Sequence, residues 1–354
     1  MRIAQLISGR TINGAVRHAL MLSALLARRG HEVLLLHRPE LDLGGLSHPR
    51  IETLQTRFRR TRSALSETAA ALRAFGAEVV HSHMSSASAY GAILRTFWGF
   101  PSVATAHKRL LQLHWAFNDY VITPSAVTAA YHHRVNLVPR RKLKVIPNFI
   151  DAAERAAITP EARLEARARL GLAPDALVIG SVGDIVAYKR PSQLILAARP
   201  LLQGPAPAVL VLVGGTGDAG ELRRAQAAAQ GLGDRVRFLG RRLDVDRILP
   251  AFDLYAMASR TEEMPIAVLE AMAVGLPVVG TTVGGMPELV AEGETGRLVP
   301  PGDVGGLALQ LATLAAEQAL RNRMGAAARA RALAAFAPGP IVDRIEAVLA
   351  RAAG

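Results

Sequence analysis

Cysteine is absent from the 354 residues, which excludes disulfides, cysteine-ligated zinc and thiol nucleophiles together. A reducing compartment is compatible with that absence. Aromatic residues are scarce at 5%, while Ala, Leu, Val, Gly and Arg abound. This mix suits helices packed on parallel strands better than a β-sandwich. Long apolar runs are missing too: those at 208–213 and 19–27 fall well short of the roughly 20 residues that cross a bilayer. The opening Met1-Arg2-Ile3-Ala4-Gln5-Leu6-Ile7 runs into a Gly-containing turn, without the apolar stretch and small-residue cleavage site of a signal peptide. A soluble, cytoplasmic protein is expected.

Negative charge is in short supply, with 42 Lys and Arg against 29 Asp and Glu and a net charge of +13. Nucleic acid, anionic lipid and phosphorylated substrates would all suit such a surface, and a solvated Arg-rich face is the plain alternative. No helix-turn-helix, RNP or zinc-finger pattern accompanies the charge, so a nucleic-acid partner is not expected.

What is present is rhythm. Short apolar runs at 3–7, 32–36, 79–83, 103–107, 120–123 and 145–147 alternate with helical patterns, as in βαβ units. The helix expected over 15–28 closes on Arg28-Arg29-Gly30, cations in its last turn and glycine beyond. After a polar, helix-prone stretch at 161–170, strands are expected again at 177–182, 208–213, 236–239, 254–258 and 277–280. Two such series predict an α/β chain of two doubly wound, Rossmann-like domains, 1–165 and 166–335, with a linker near 150–175. Phe336-Ala337-Pro338-Gly339-Pro340 then breaks the chain before a final amphipathic helix over 341–350, within a terminal segment 336–354.

The richest stretch is 254–277, in the order strand, loop, helix, glycine stop and next strand. Ser259 and Thr261 are the expected caps, Pro265 the first helical position and Gly275 the residue past the last turn. A helix starting there offers N–H groups from about Met264 through Ile266 to Ala267, together with its positive end, as a site for a diphosphate. Glu262 precedes the helix and Glu270 lies inside it, so the two can reach opposite ends of one extended ligand. Alternatively, Glu262, Glu263 and Glu270 are ordinary acids near a helix start.

With its flanks, Glu262-Glu263-Met264-Pro265 before an apolar helix and Gly275-Leu276-Pro277-Val278-Val279 after it, the stretch resembles the Glu-x7-Glu signature of glycosyltransferase family 4. Val283-Gly284-Gly285-Met286-Pro287-Glu288-Leu289-Val290 and Gly296-Arg297-Leu298-Val299-Pro300 resemble that family in order and spacing. Weaker likenesses at Asn13-Gly14-Ala15-Val16-Arg17-His18, Val79-Val80-His81-Ser82-His83, Thr105-Ala106-His107 and Val145-Ile146-Pro147-Asn148 extend it over the chain. The resemblance implies the GT-B architecture: two facing Rossmann-like domains, the first for the acceptor and the second for the nucleotide sugar, with a C-terminal helix crossing back to the first. It further implies a retaining, metal-independent, hexosyltransferase-type enzyme without a cofactor. The co-substrate would be a nucleotide-diphosphate sugar, a UDP-sugar ahead of a GDP-sugar.

By that likeness Glu262 would hold donor-sugar hydroxyls and Glu270 the ribose, with Met264, Pro265 and Ile266 between them. Gly14 would let a first-domain loop approach the diphosphate. Lys189 would grip the diphosphate, and His107 would sit near the donor sugar and the acceptor hydroxyl, so that His107, Lys189 and Glu262 form the catalytic group. One departure stands out. The family carries Arg and Lys five residues apart after the first strand of its second domain, whereas this chain keeps Lys189 and has Asp184 at the arginine position. Either Arg190 or Arg260 supplies the missing cation, or turnover is weakened. Asp184 therefore keeps a non-catalytic GT-B sugar-nucleotide-binding protein as an alternative, and a GT-B sugar-nucleotide epimerase, on a related scaffold, is the enzymatic rival.

His81 and His83 share one face of a strand and His107 ends another. No Asp or Glu completes a zinc set, and no metal site is expected. Trp98 and Trp115 are expected in packing rather than sugar stacking. Two basic clusters, Arg57-Phe58-Arg59-Arg60-Thr61-Arg62 and Arg140-Arg141-Lys142-Leu143-Lys144, are either solvated faces or surfaces that rest on anionic headgroups. Bacterial members of the family often act on lipid-linked glycans or lipopolysaccharide core. A saccharide or lipid-linked acceptor in polysaccharide or lipopolysaccharide biosynthesis is therefore expected, with Arg57, Arg59, Arg60 and Arg62 touching the acceptor or the inner face of the cytoplasmic membrane.

Overall fold

The run Arg2–Ile7 becomes the strand at the middle of the first sheet because five of its six residues are buried, as a parallel strand covered by helices on both faces requires. In the computed structural model, which describes residues 1–151, 155 and 157–354, this strand is β1. It is followed by β2 (Glu32–His37), β3 (Ile51–Gln55), β4 (Val79–His83), β5 (Ser102–Thr105), β6 (Tyr120–Thr123) and β7 (Leu143–Val145). The sheet order is β3-β2-β1-β4-β5-β6-β7, all parallel. A second parallel sheet is built from β8 (Leu177–Val182), β9 (Ala208–Val213), β10 (Val236–Phe238), β11 (Leu254–Ala256), β12 (Val278–Thr281) and β13 (Gly296–Val299), in the order β10-β9-β8-β11-β12-β13. Each order reverses once, between β1 and β4 and between β8 and β11. At such a switch point a crevice opens beyond the carboxyl ends of the strands, where doubly wound sheets take their ligands.

Two strands were not expected. β3 is an edge strand in which only Ile51 and Leu54 are even half-buried, too little apolar pattern to read. β13 begins at Gly296, where an added Cβ would lie 2.1 Å from the carbonyl oxygen of Val278, so close pairing with β12 demands glycine.

The chain divides into two units, 1–149 with 338–354, and 150–337. The boundary expected at 165 falls inside the helix Pro160–Arg169, which belongs to the second unit. Its Arg163 and Arg167 reach Asp253 at 2.6 and 2.7 Å, tying it to the loop before β11. Residues 152–154 and 156 of the expected linker lie outside the described residues.

The Pro-Gly-Pro expected to break the chain instead opens the last helix, Pro338–Ala353, since first-turn prolines lack an N–H that has no intrahelical partner anyway. Ile341, Val342, Ile345 and Leu349 of this helix are buried among Ile3, Leu22, Val79, Val103 and Phe149, each contributing about 2 kcal/mol by burial. Arg29 binds Asp343 and Glu346 at 2.5 and 2.9 Å, and His31 lies 3.0 Å from Glu346. The terminal helix is thus part of the first unit. Among the described residues no helix is long and apolar enough to cross a membrane.

Candidate functional site

In the second unit, chain segments leaving β8 and β11 meet at the switch point. Lys189, after β8, donates to Oε1 of Glu262, after β11, at 2.9 Å, and Ser259 Oγ donates to the same oxygen at 3.1 Å. The Arg260 N–H donates to the Tyr188 carbonyl at 2.7 Å, joining the two loops through their backbones. Glu262 is buttressed from behind by the loop after β12. The Gly285 N–H donates to the Glu263 carbonyl at 2.6 Å, and at Gly284, with φ of 54°, an added Cβ would fall 1.5 Å from the Glu262 carbonyl oxygen. A small cavity beside the pair is lined by Gly183, Asp184, Lys189, Ser259 and Pro265.

Burial acts to lower the pKa of the Lys189 ammonium. The Glu262 carboxylate, helped by Tyr255, overrides it and raises that pKa above the ordinary lysine value, so the lysine stays charged. Burial pushes the Tyr255 phenol up to about 12, and its OH donates to the Val182 carbonyl at 3.0 Å.

The helix after this loop is Ile266–Ala273, and its start differs from expectation. Pro265 occupies the cap position itself and its side chain makes no capping hydrogen bond. The Ser259 hydroxyl is turned to Glu262 instead, while Thr281 Oγ1 donates to the Ser259 carbonyl at 2.7 Å. The first two N–H groups of the helix, those of Ile266 and Ala267, lie before its first backbone bonds to Pro265, and Pro265 lines the same small cavity as Lys189 and Ser259, so the positive end of the helix borders that cavity. Glu270, one turn on, is 3% exposed and pairs with Arg155 at 3.2 Å.

Asp184 accepts from the Gly215 N–H at 3.1 Å and lies 3.6 Å from Arg241 Nη2. Arg241, from the loop after β10, is thus a cation beside Asp184. Arg190 caps the helix Pro191–Gln203 in the left-handed region, φ 50°, with its side chain 3.4 Å from Gln193. Arg155 and Arg241 were missed by sequence reasoning. Neither stands in a motif, although the Gly240-Arg241-Arg242 turn after a short strand was a visible signal.

In the first unit the switch point between β1 and β4 holds a file of polar side chains. His107 Nε2 lies 3.2 Å from His83 Nδ1, His83 Nε2 lies 2.9 Å from Gln5 Oε1, Gln5 Nε2 lies 3.3 Å from His81 Nδ1, and His81 Nε2 lies 2.8 Å from Thr105 Oγ1. His18 stands beside them, its ring centroid 5.4 Å from that of His107 and 4.9 Å from that of Phe149. Burial lowers the pKa of all four imidazoles, and neighbouring imidazoles lower those of His81, His83 and His107 further. His18 falls to about 4, His81 to about 3, and His83 and His107 well below the ordinary value. The four rings are neutral at physiological pH. Among the described residues no three His, Asp or Glu side chains are placed to hold a metal ion. Gln5 had a readable signal, being the one polar residue among the five buried residues of β1.

Gly14 opens the helix Gly14–Arg28, where Asn13 accepts from the Val16 N–H at 3.1 Å. An added Cβ on Gly14 would meet nothing within 4 Å, so the protein's own packing does not demand glycine there. Arg57, Arg59, Arg60 and Arg62 are all exposed, and Phe58, in the left-handed region with φ of 52°, is buried between them. Arg60 helps to depress the pKa of His114, behind the larger effect of burial. It thus lies near the loop after His107, which exposes Leu110, Leu111 and Leu113. In the second basic cluster Lys142 is not a free surface charge, since it donates to the carbonyls of Ala116 and Asn118 at 2.9 and 2.8 Å. Trp115 is 1% exposed in a core with Ala104, Val121 and Val138.

Residues 12–154 match the family described as Glycosyltransferase Family 4, and residues 162–331 the family described as Glycosyl transferases group 1. The chain is 33% identical over 253 residues to a D-inositol 3-phosphate glycosyltransferase of Actinosynnema mirum, an alignment covering 63% of this chain and 60% of the relative. It is 30% identical over 229 residues to N-acetyl-alpha-D-glucosaminyl L-malate synthase of Bacillus anthracis, covering 63% and 58%. The matched length is thus about three fifths of either relative. Among solved structures, Anabaena Alr3699/HepE in complex with UDP-glucose aligns with a TM-score of 0.87 at 24% identity, over 99% of this chain and 100% of that one. WaaG, a glycosyltransferase involved in lipopolysaccharide biosynthesis, aligns with a TM-score of 0.74 at 18% identity, over 98% and 99%. The fold held in common is GT-B, with two Rossmann-like domains of parallel sheet.

Proposed function

Because this chain belongs to the family 4 type of glycosyltransferases, as its two domain matches show, we propose that it moves a hexosyl group from a nucleotide-diphosphate sugar to an acceptor hydroxyl with retention of configuration. The observation that supports this most is the Lys189–Glu262 pair at 2.9 Å, held beside the start of the helix Ile266–Ala273 at the β8/β11 switch point. Lys189 and the N–H groups of that helix stabilise the diphosphate as charge develops on the leaving group. Glu262, oriented by Lys189 and Ser259, accepts hydroxyl hydrogens of the donor sugar, and Glu270 accepts those of the ribose. Met264, Pro265 and Ile266 lie between the two carboxylates. By the family likeness, Gly14 is the donor-side glycine of the first unit and His107 its acceptor-side histidine. Attack occurs on the face the diphosphate leaves, one of its oxygens taking the acceptor proton, and no protein nucleophile is assigned.

The donor is a UDP-sugar. The HepE structure in complex with UDP-glucose supports this, since the matching chain here has a helix start and lysine suited to the same diphosphate. No metal or cofactor takes part, and chelation with EDTA should leave the rate unchanged. The acceptor is a lipid-linked glycan or cell-envelope saccharide met at the membrane's inner face. The exposed Arg57, Arg59, Arg60 and Arg62 and the apolar loop 110–113 support this reading, each cation contributing roughly 1 kcal/mol near anionic headgroups. A soluble phosphorylated acceptor is the second reading, favoured by the relatives named for D-inositol 3-phosphate.

Incubation with a panel of UDP- and GDP-sugars tests the proposal through acceptor-dependent release of nucleoside diphosphate and an axial anomeric signal in the product where the donor's was axial. Binding without release would make the protein a sugar-nucleotide sensor, and a changed sugar without transfer would make it an epimerase. Sedimentation with anionic vesicles at low salt separates the two acceptors. Wild type should pellet, and a variant with Arg59, Arg60 and Arg62 changed to Ser should not.

A further inference from the structure

We infer that Gln5 and His83 are positioning residues that fix which ring nitrogen of His107 bears its hydrogen, so that His107 meets its ligand as a hydrogen-bond acceptor. Oε1 of an amide only accepts, so the His83 nitrogen 2.9 Å from Gln5 Oε1, its Nε2, bears the hydrogen. A neutral imidazole has one ring hydrogen, which leaves His83 Nδ1 as a bare acceptor. The nitrogen 3.2 Å away, His107 Nε2, is then the donor, and His107 Nδ1 holds the free lone pair. On the far side the file is anchored. Gln5 Nε2 donates to His81 Nδ1 at 3.3 Å, and His81 Nε2 donates to Thr105 Oγ1 at 2.8 Å. Each atom has one role, and reversing any link requires reversing all of them.

Neutrality is what makes the file directional, and the fold supplies it. Gln5, His81 and His83 are 0% exposed, and the neighbours that act on these rings are other imidazoles, His18 included. A leucine would fill the place of Gln5 in an apolar strand, yet a buried amide stands there with both its ends bonded. A fully paired polar network of this kind specifies one arrangement rather than adding bulk stability. In other catalytic sites, the group behind a histidine sets its tautomer and thereby whether it can act as a base. Here the consequence is that His107 accepts from a sugar hydroxyl rather than donating to one. That consequence rests on the reading of His107 given above, whereas the tautomer itself does not.

Long-range proton–nitrogen NMR of the 15N-labelled full chain, with signals assigned through His107→Phe and His81→Phe variants, reads the tautomers directly. His107 should show a single form with hydrogen on Nε2 and bare Nδ1. In His83→Phe, and in Gln5→Leu should the former fail to fold, His107 should become a mixture of both forms. His83→Phe should also lower kcat for transfer about tenfold with donor KM unchanged. His83→Asn, whose amide oxygen can accept from His107 Nε2, should restore most of it. A wild-type His107 with hydrogen on Nδ1 or in mixed forms, or one unmoved in both variants, overturns the inference. A shifted tautomer with unchanged kcat leaves the relay standing and removes His107 from the transfer step.

Discussion

Acid should unfold the first unit before it reaches the range in which carboxylates titrate, and the buried histidines set the size of the effect. His18 and His81 are 3% and 0% exposed, and burial takes their pKa from 6.5 to about 4 and about 3. As pH falls through 6.5 the unfolded chain takes up a proton at each, while the folded chain does not until about pH 4 and about pH 3. Over that window the unfolded state binds more protons, so stability is full above 6.5 and is lost as pH falls towards the folded values. At about pH 5 each histidine costs about 2 kcal/mol, at 1.36 kcal/mol per pH unit, and the two together about 4 kcal/mol. Urea unfolding followed by tryptophan fluorescence isolates this unit, because Trp98 and Trp115, the two tryptophans of the chain, both lie within it. His18→Leu removes one of the protons taken up on unfolding, along with a buried Nδ1 that has no hydrogen-bond partner. At about pH 5 the variant should be more stable than wild type by about 2 kcal/mol, and near pH 7.5 the two should be close. A wild-type stability that is flat between those pH values, or a variant with the wild-type slope, would refute the reasoning.

Lys189→Ala removes a charge-assisted bond and leaves Glu262 without its cation, which should cost about 2 kcal/mol, or roughly thirtyfold in kcat/KM. Asp184→Asn keeps an oxygen for the Gly215 N–H but removes a negative charge beside the proposed diphosphate. Calorimetry should show tighter UDP binding by up to about fivefold, and weaker binding would mean that Asp184 serves the ligand through Arg241. Ile345→Ala opens a cavity under the last helix and should cost the first unit about 3 kcal/mol in the same fluorescence-detected urea unfolding.

Most strands were legible because a parallel strand buried on both faces is largely apolar. Residues 79–83, 120–123, 177–182 and 208–213 are strands at those limits. Where burial is one-sided the signal fades, as at β3, whose Glu52, Thr53 and Gln55 are exposed. The boundary was misplaced because the helix Pro160–Arg169 looks like a linker by composition, and only its ion pairs with Asp253 assign it to the second unit. In the site, Lys189 and Glu262 could be named from their motifs. That they touch depends on β8 and β11 being neighbours, which is topology rather than spacing. Arg155 and Arg241 reach their carboxylates from loops, where no periodicity points a side chain anywhere. The histidines were visible on their strand faces, but the amide that orders them comes from another strand.

The central claim is that a nucleotide-diphosphate sugar is held at the β8/β11 switch point by Lys189, the start of the helix Ile266–Ala273 and the two glutamates around it. Hydrogen–deuterium exchange of the full chain, alone and with saturating UDP or GDP, tests this most directly, because the groups invoked include backbone N–H groups. Protection with UDP concentrated at 183–190 and 259–270, and diminished in Lys189→Ala, is the predicted result. Protection by neither nucleotide at those segments, or protection confined to other parts of the chain, would contradict it.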